Sequence, residues 1–141
     1  MIYFFNEDMP FPFSVKKQPA KAQVKKLIEM ENRKTGDLCF VFCSDDFLLE
    51  INKKHLGHDY YTDVVTFDYT VDDVVAGDIF ISVERVKENA REYGASFNCE
   101  LSRVIYHGLL HLCGYKDKSP DDERIMREKE DFYLNILSII E

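Results

Sequence analysis

The sequence predicts an α+β (mixed α/β) fold, with helices packed on one mixed sheet in a single domain spanning residues 1–141. Three observations carry that prediction. Apolar runs of strand length alternate with amphipathic stretches of helical period. The runs Val64–Tyr69 and Val74–Ser82 are rich in β-branched residues and flank a polar Asp72-Asp73 turn, so they read as paired strands. A strongly apolar helix beginning at Asn98 carries Leu101, Val104, Ile105, Leu109 and Leu112, which makes it central to the fold.

Ile2–Asn6 reads as a first strand. A helix follows over Pro19–Arg33, with proline in its first turn and Val24, Leu27 and Ile28 on its inner face. Leu38–Cys43 is a short apolar strand. Ser44 caps the next helix through its hydroxyl, and Asp45 and Asp46 complement the positive end of its dipole. That helix carries Phe47, Leu48, Ile51 and Asn52 and fades near Gly57. After the strand pair, Ser82 caps a helix that stops at Gly94. The central helix ends at Gly114, a residue that takes the left-handed conformation without a Cβ penalty. Ser119-Pro120-Asp121-Asp122 starts a last helix, which presents Ile125, Phe132, Ile136 and Ile140 at helical spacing.

Composition narrows the class. A chain of 141 residues is long enough for a real core. Met1–Asp8 lacks a basic stretch followed by an apolar one, so it does not read as a signal peptide. No apolar run approaches the roughly 18 residues that span a bilayer, so no membrane partner is expected. Cys39, Cys43, Cys99 and Cys113 show no Cys-x-x-Cys spacing; they read as reduced and the compartment as cytoplasmic. Net charge of −8 argues against a generic nucleic-acid coat. Basic residues nevertheless crowd the first helix (Lys16, Lys17, Lys21, Lys25, Lys26, Arg33 and Lys34), and Lys53 and Lys54 follow. They form either solvated helix faces or a local track for a phosphate backbone.

The chemistry concentrates in residues 107–117. His107 and His111 are four apart on a helix, so they share a face about 6 Å apart along the axis. Two imidazoles at that spacing can hold one transition metal. The turn at Gly114 brings Asp117 round as a third, oxygen ligand. Three protein ligands leave a position open for water, the arrangement of a catalytic rather than a structural metal. Paired histidines also occur as satisfied core residues, but a buried helix must give both imidazoles polar partners, and a metal does so at once. The residue after His107 is Gly108, where zinc proteases of the His-Glu-x-x-His type place their general base, so peptide hydrolysis by that route is disfavoured. Glycine there leaves space for a substrate group or a close neighbouring strand.

From His107 to Tyr115 the chain follows the signature His-Gly-x-Leu-His-Leu-x-Gly-Tyr-Asp-His, and so resembles the bacterial YbeY family of metal-dependent endoribonucleases of ribosomal RNA maturation. Asn52, Gly57, Asp59 and the run Thr62–Phe67 resemble that family's second motif, and Gly77-Asp78-Ile79 its third. The resemblance implies a small four-stranded mixed sheet with helices, akin to metalloprotease cores. It implies one divalent metal per chain, Zn²⁺ by preference, held by His107, His111 and Asp117. It implies single-stranded and ribosomal RNA as substrate, with the ribosome or its associated proteins as partners.

Two positions depart from the family. Asp117 stands where it has a third histidine, and a harder ligand shifts metal preference. Leu56 stands where it has an arginine, so phosphate binding falls to His55, His58 or Lys54. Within the resemblance, His107 and Asp63 are the candidate catalytic residues, and Lys54 and His58 the candidate substrate-binding residues. Asp63 is equally readable as a cap on the preceding turn. Asp78 is readable either as the acceptor behind a metal-bound imidazole or as a local strand-edge residue. A metal-dependent hydrolase of another substrate and a non-catalytic ribosome-associated factor are the alternative functions.

Overall fold

The computed structural model describes residues 1–10 and 17–137. Within them the order is β1 (Ile2–Asn6), α1 (Lys17–Met30), β2 (Lys34–Cys43), α2 (Asp45–Leu56), β3 (Val64–Asp68), β4 (Val74–Ser82), α3 (Val83–Tyr93), α4 (Phe97–Leu112) and α5 (Pro120–Ile136). The strands form one four-stranded sheet in the order β1-β2-β4-β3. β1 and β2 pair parallel, β2 and β4 pair parallel, and β3 runs antiparallel to β4, so the sheet is mixed, as the sequence predicted.

Strand periodicity sorts the side chains to two faces. On one face Leu38, Phe40 and Phe42 of β2 and Val75, Ile79 and Ile81 of β4 join the core with α1, α3, α4 and α5. On the other, Cys43 and Val65 pack under Leu48 of α2. β4 and α4 come unusually close, and small residues permit it. A Cβ on Gly108 would stand 2.9 Å from Ile79 Cγ2, and one on Gly77 would stand 3.0 Å from Leu112 Cδ2. Gly108 therefore accommodates a neighbouring strand, which is one of the two uses its position allowed.

The helix boundaries differ from expectation where local capping prevails. α1 begins two residues before Pro19 and ends at Met30, because Asn32 reverses the chain at φ 59°. β2 reaches back to Lys34, pairing Lys34 with Val74 and Thr35 with Val75 before a register shift ahead of Leu38. α4 starts at Phe97 rather than Asn98, since the Ser96 hydroxyl accepts the Cys99 N–H at 3.1 Å.

The larger correction concerns α5. Its buried stripe is Met126, Glu130, Tyr133 and Leu137, one residue later than the apolar set read from sequence. Ile125, Phe132 and Ile136 are exposed, and Ile140 lies outside the described residues. The helix turns this face inward because its polar atoms have fixed partners there. One is Glu31, at the end of α1, whose side chain is only 7% exposed. Glu31 accepts from Tyr115 Oη at 2.6 Å, from Tyr133 Oη, and from Lys129 Nζ at 3.3 Å. One carboxylate thus ties α1, α5 and the segment after α4 together.

Burial alone would raise the Glu31 carboxyl, but the two tyrosine hydroxyls and the Lys129 charge outweigh it and hold it below the ordinary 4.5. A depressed folded value stabilises above the unfolded value and loses that contribution as pH falls through the folded one. Glu31→Gln is therefore expected to cost about 2 kcal/mol at pH 7. In urea titrations the gap between wild type and variant should close as pH drops below 4.5. A gap constant down to pH 3 would contradict the assignment.

Candidate metal centre

α4 is buried along most of its length, from Glu100 to Leu112, yet His107 and His111 both face an opening beside β3. Their Nε2 atoms stand 3.0 Å apart, with ring centroids separated by 4.5 Å at an interplanar angle of 80°. Gly114, at φ 106°, turns the chain, and the Tyr115 N–H closes on the Leu110 carbonyl at 3.0 Å. Arg33 Nη2 clasps the same turn through the Cys113 carbonyl at 2.9 Å. The return brings Asp117 Oδ2 to 3.2 Å from His111 Nε2 and 3.4 Å from His107 Nε2.

The other face of each imidazole is fixed. His111 Nδ1 donates to the Tyr115 carbonyl at 3.0 Å, because a carbonyl can only accept. His107 Nδ1 donates to Glu130 Oε2 at 2.7 Å. Burial alone would raise Glu130, but the hydrogen bonds from His107 and Arg103 outweigh it and hold it below the usual glutamate range, so it is an ionised acceptor. Arg103 Nη1 binds Glu130 at 2.9 Å, and Nη2 binds Asp131 at 2.7 Å.

In the neutral rings, with the protons on Nδ1, two Nε2 lone pairs and a carboxylate oxygen confront one another. A cation relieves that repulsion. Ligands about 2.0–2.1 Å from a tetrahedral zinc lie roughly 3.3 Å from one another, close to the spacings observed here. Among the described residues these three form a group whose donor atoms all lie within 4.8 Å of one another. They fit one metal ion. Cys113 does not compete, since burial pushes its thiol up to about 12 and it packs in the core.

The remaining predicted residues divide. Asp63 stands beside His107 and accepts from Asn89 Nδ2 at 3.3 Å; burial raises its carboxyl above the ordinary range. Its backbone carbonyl accepts the Ser82 N–H at 2.9 Å, which extends the pairing of β3 with β4 rather than capping the preceding turn. His58 and Leu56 line the cleft, about 280 Å³ in volume, that opens on the three ligands. The buried Asn52 holds this wall, donating to the Tyr60 carbonyl at 3.0 Å and accepting the His58 N–H at 3.2 Å. Lys54 is exposed on α2 and does not line the cleft.

Asp78 is not the acceptor behind either histidine. Gly77 and Ile79 face α4, so the pleat turns Asp78 to the opposite side, where it lines a hollow with Cys39 and Tyr69. Glu130 does that work instead, and the sequence reading missed it. The available signal was that a buried imidazole needs an acceptor, and that Met126, Glu130 and Tyr133 repeat at helical spacing.

A four-stranded mixed sheet, with two histidines of its central helix and the following Asp117 gathered beside an open cleft, defines an α+β protein with a group that could hold one metal ion. The chain belongs to the family described as Endoribonuclease YbeY, whose sequence model matches residues 6–138. It is 45% identical over 136 residues to the Endoribonuclease YbeY of Parabacteroides distasonis, covering 96% of this chain and 95% of that one. It is 50% identical over 116 residues to that of Flavobacterium psychrophilum, covering 82% and 83%. The solution structure of TM1509 from Thermotoga maritima superposes with a TM-score of 0.66 at 30% identity, covering 96% of this chain and 87% of that one. Among the described residues, no helix is long and apolar enough to cross a membrane.

Replacing Glu130 with glutamine should leave the fold in place and weaken zinc binding about 10- to 100-fold, because the acceptor that fixes the His107 tautomer loses its charge. Competition with a chromogenic chelator measures this. Unchanged affinity in a folded Glu130→Gln protein would show that the hydrogen bond does not orient the ligand.

Proposed function

We propose that this chain is a zinc-dependent, single-strand-specific endoribonuclease acting in ribosomal RNA maturation and ribosome quality control in the cytoplasm. One observation carries the reading: two imidazole Nε2 atoms and a carboxylate oxygen converge at 3.0–3.4 Å beside an open cleft. Family membership gives that centre its chemistry, since the relatives bear the name endoribonuclease.

His107, His111 and Asp117 would hold the ion. When bound, such an ion supplies positive charge that polarises a phosphate oxygen and activates water. The protein supplies the rest. Glu130 and the Tyr115 carbonyl hold the Nδ1 protons, so in the neutral rings both Nε2 lone pairs are turned to the ion's place. Asp63, its carboxyl raised by burial, accepts the proton released as water attacks the phosphodiester. His107 serves catalysis as a ligand backed by the Glu130 charge.

Leu56 cannot grip a phosphate, so substrate contacts fall to His58 in the cleft and to Lys54 on the adjoining helix surface. The ribosome is the proposed source of both substrate and partners. Leu56 is also the observation that favours a hydrolase acting on another substrate, which a panel of phosphate esters and peptides would reveal.

The experiment is cleavage of a defined single-stranded RNA by zinc-reconstituted protein, beside a folded His111→Ala preparation. Wild type should cut at least about 100-fold faster, since removing a ligand dismantles the centre. Equal rates would remove the metal site from the reaction.

A further inference from the structure

Past His107 the metal cleft meets a second cavity, about 450 Å³, among α3, α4 and α5. Asn89, Glu100, Arg103 and Arg127 line it, together with Asp63 and His107, which it shares with the cleft. Glu100 lies seven residues before His107 on α4, two turns away on the same side. It is 5% exposed, yet among the described residues its carboxylate receives no hydrogen bond and joins no ion pair. Arg103, the nearest cation along the helix, gives its two terminal nitrogens to Glu130 and Asp131. The Glu100 oxygens open on the cavity without a protein donor, so they are free to accept from a molecule that enters it.

That molecule is not a second metal ion. Among the described residues, the donor atoms that converge belong to His107, His111 and Asp117, and Glu100 is not among them. What Glu100 lacks is an N–H donor of its own. A nucleobase brings such donors on its pairing edge, and single-stranded RNA is read through unstacked bases of this kind. Guanine alone offers two adjacent donors, N1–H and the 2-amino group, which match the two oxygens of one carboxylate. Its O6 needs a donor beside them. Arg127, only 3.9 Å from Glu130 and mostly exposed, has guanidinium nitrogens left to give. Uracil would turn carbonyl oxygens toward Glu100. Tyr93, exposed at the rim, offers a ring on which a base can stack.

We propose that this cavity is a guanine-binding subsite, in which Glu100 accepts from N1–H and the 2-amino group of the base next to the phosphate in the metal cleft. The inference rests on the endoribonuclease reading for its substrate class.

Binding of GMP, IMP and UMP to the zinc-loaded chain tests it without cleavage. GMP should bind at least ten-fold tighter than UMP, with IMP, which lacks the 2-amino group, weaker than GMP. Glu100→Gln should reduce the GMP preference several-fold. Equal affinity for GMP and UMP in the wild type overturns the subsite, whether or not the variant folds. An unchanged preference in folded Glu100→Gln overturns the role of Glu100. The same protein given a single-stranded RNA with one guanosine, or inosine in its place, separates the two readings. Cleavage indifferent to the base overturns the subsite alone. Guanine preference in binding with no RNA cut supports the subsite and overturns the nuclease.

Discussion

The hydrogen bond from His107 Nδ1 to Glu130 is the constraint on which the site depends. It sets the imidazole's tautomer, its ring plane and the direction of its free lone pair. Its consequences run outward. Glu130 must be ionised while buried, so Arg103 is drawn in beside it. Because Glu130 sits on α5, that helix must dock on α4 with its polar residue inward. Ile125, Phe132 and Ile136 are left facing solvent in exchange. A rule of hydrophobic periodicity is thereby overridden by one charged group. Glu31 repeats the device on the other side: it binds Tyr133 and Tyr115, and the Tyr115 carbonyl holds His111.

Much of this was legible in the sequence, for reasons that can be named. Strand and helix alternation gave all four strands, because their apolar runs are short, β-branched and bounded by turn residues. The His-x-x-x-His spacing, the glycine stop and Asp117 gave the ligand group, because helical geometry and a left-handed turn are local properties. Long-range pairing was not legible. Glu130 is 23 residues from His107 and Glu31 is 102 from Tyr133, and nothing in either neighbourhood announces the partner. Asp78 was the more visible acceptor because it stands in a motif, yet strand parity turns it away from α4. The start of β2 was hidden for a different reason: Lys34–Asp37 carries no apolar alternation, and its extended form is imposed by pairing with β4.

The acidic surface and the proposed substrate are reconciled by geometry rather than by net charge. Lys25 and Lys26 on α1 and Lys53 and Lys54 on α2 are exposed, whereas Arg103 beside the site is tied to Glu130 and Asp131. With Leu56 in the wall, the cleft has little fixed positive charge of its own. An ion at the three ligands would then be the main local attraction for a phosphate. Affinity for RNA should accordingly follow metal occupancy more closely than ionic strength, since few lysine–phosphate contacts are made.

The most direct measurement is a zinc titration of metal-stripped protein, read as the initial rate of single-stranded RNA cleavage at fixed protein concentration. The account predicts negligible cleavage without metal and a linear rise that breaks at one ion per chain, the capacity of the His107, His111 and Asp117 group. Full activity in the stripped protein, or a rate that climbs well past one equivalent, would contradict it.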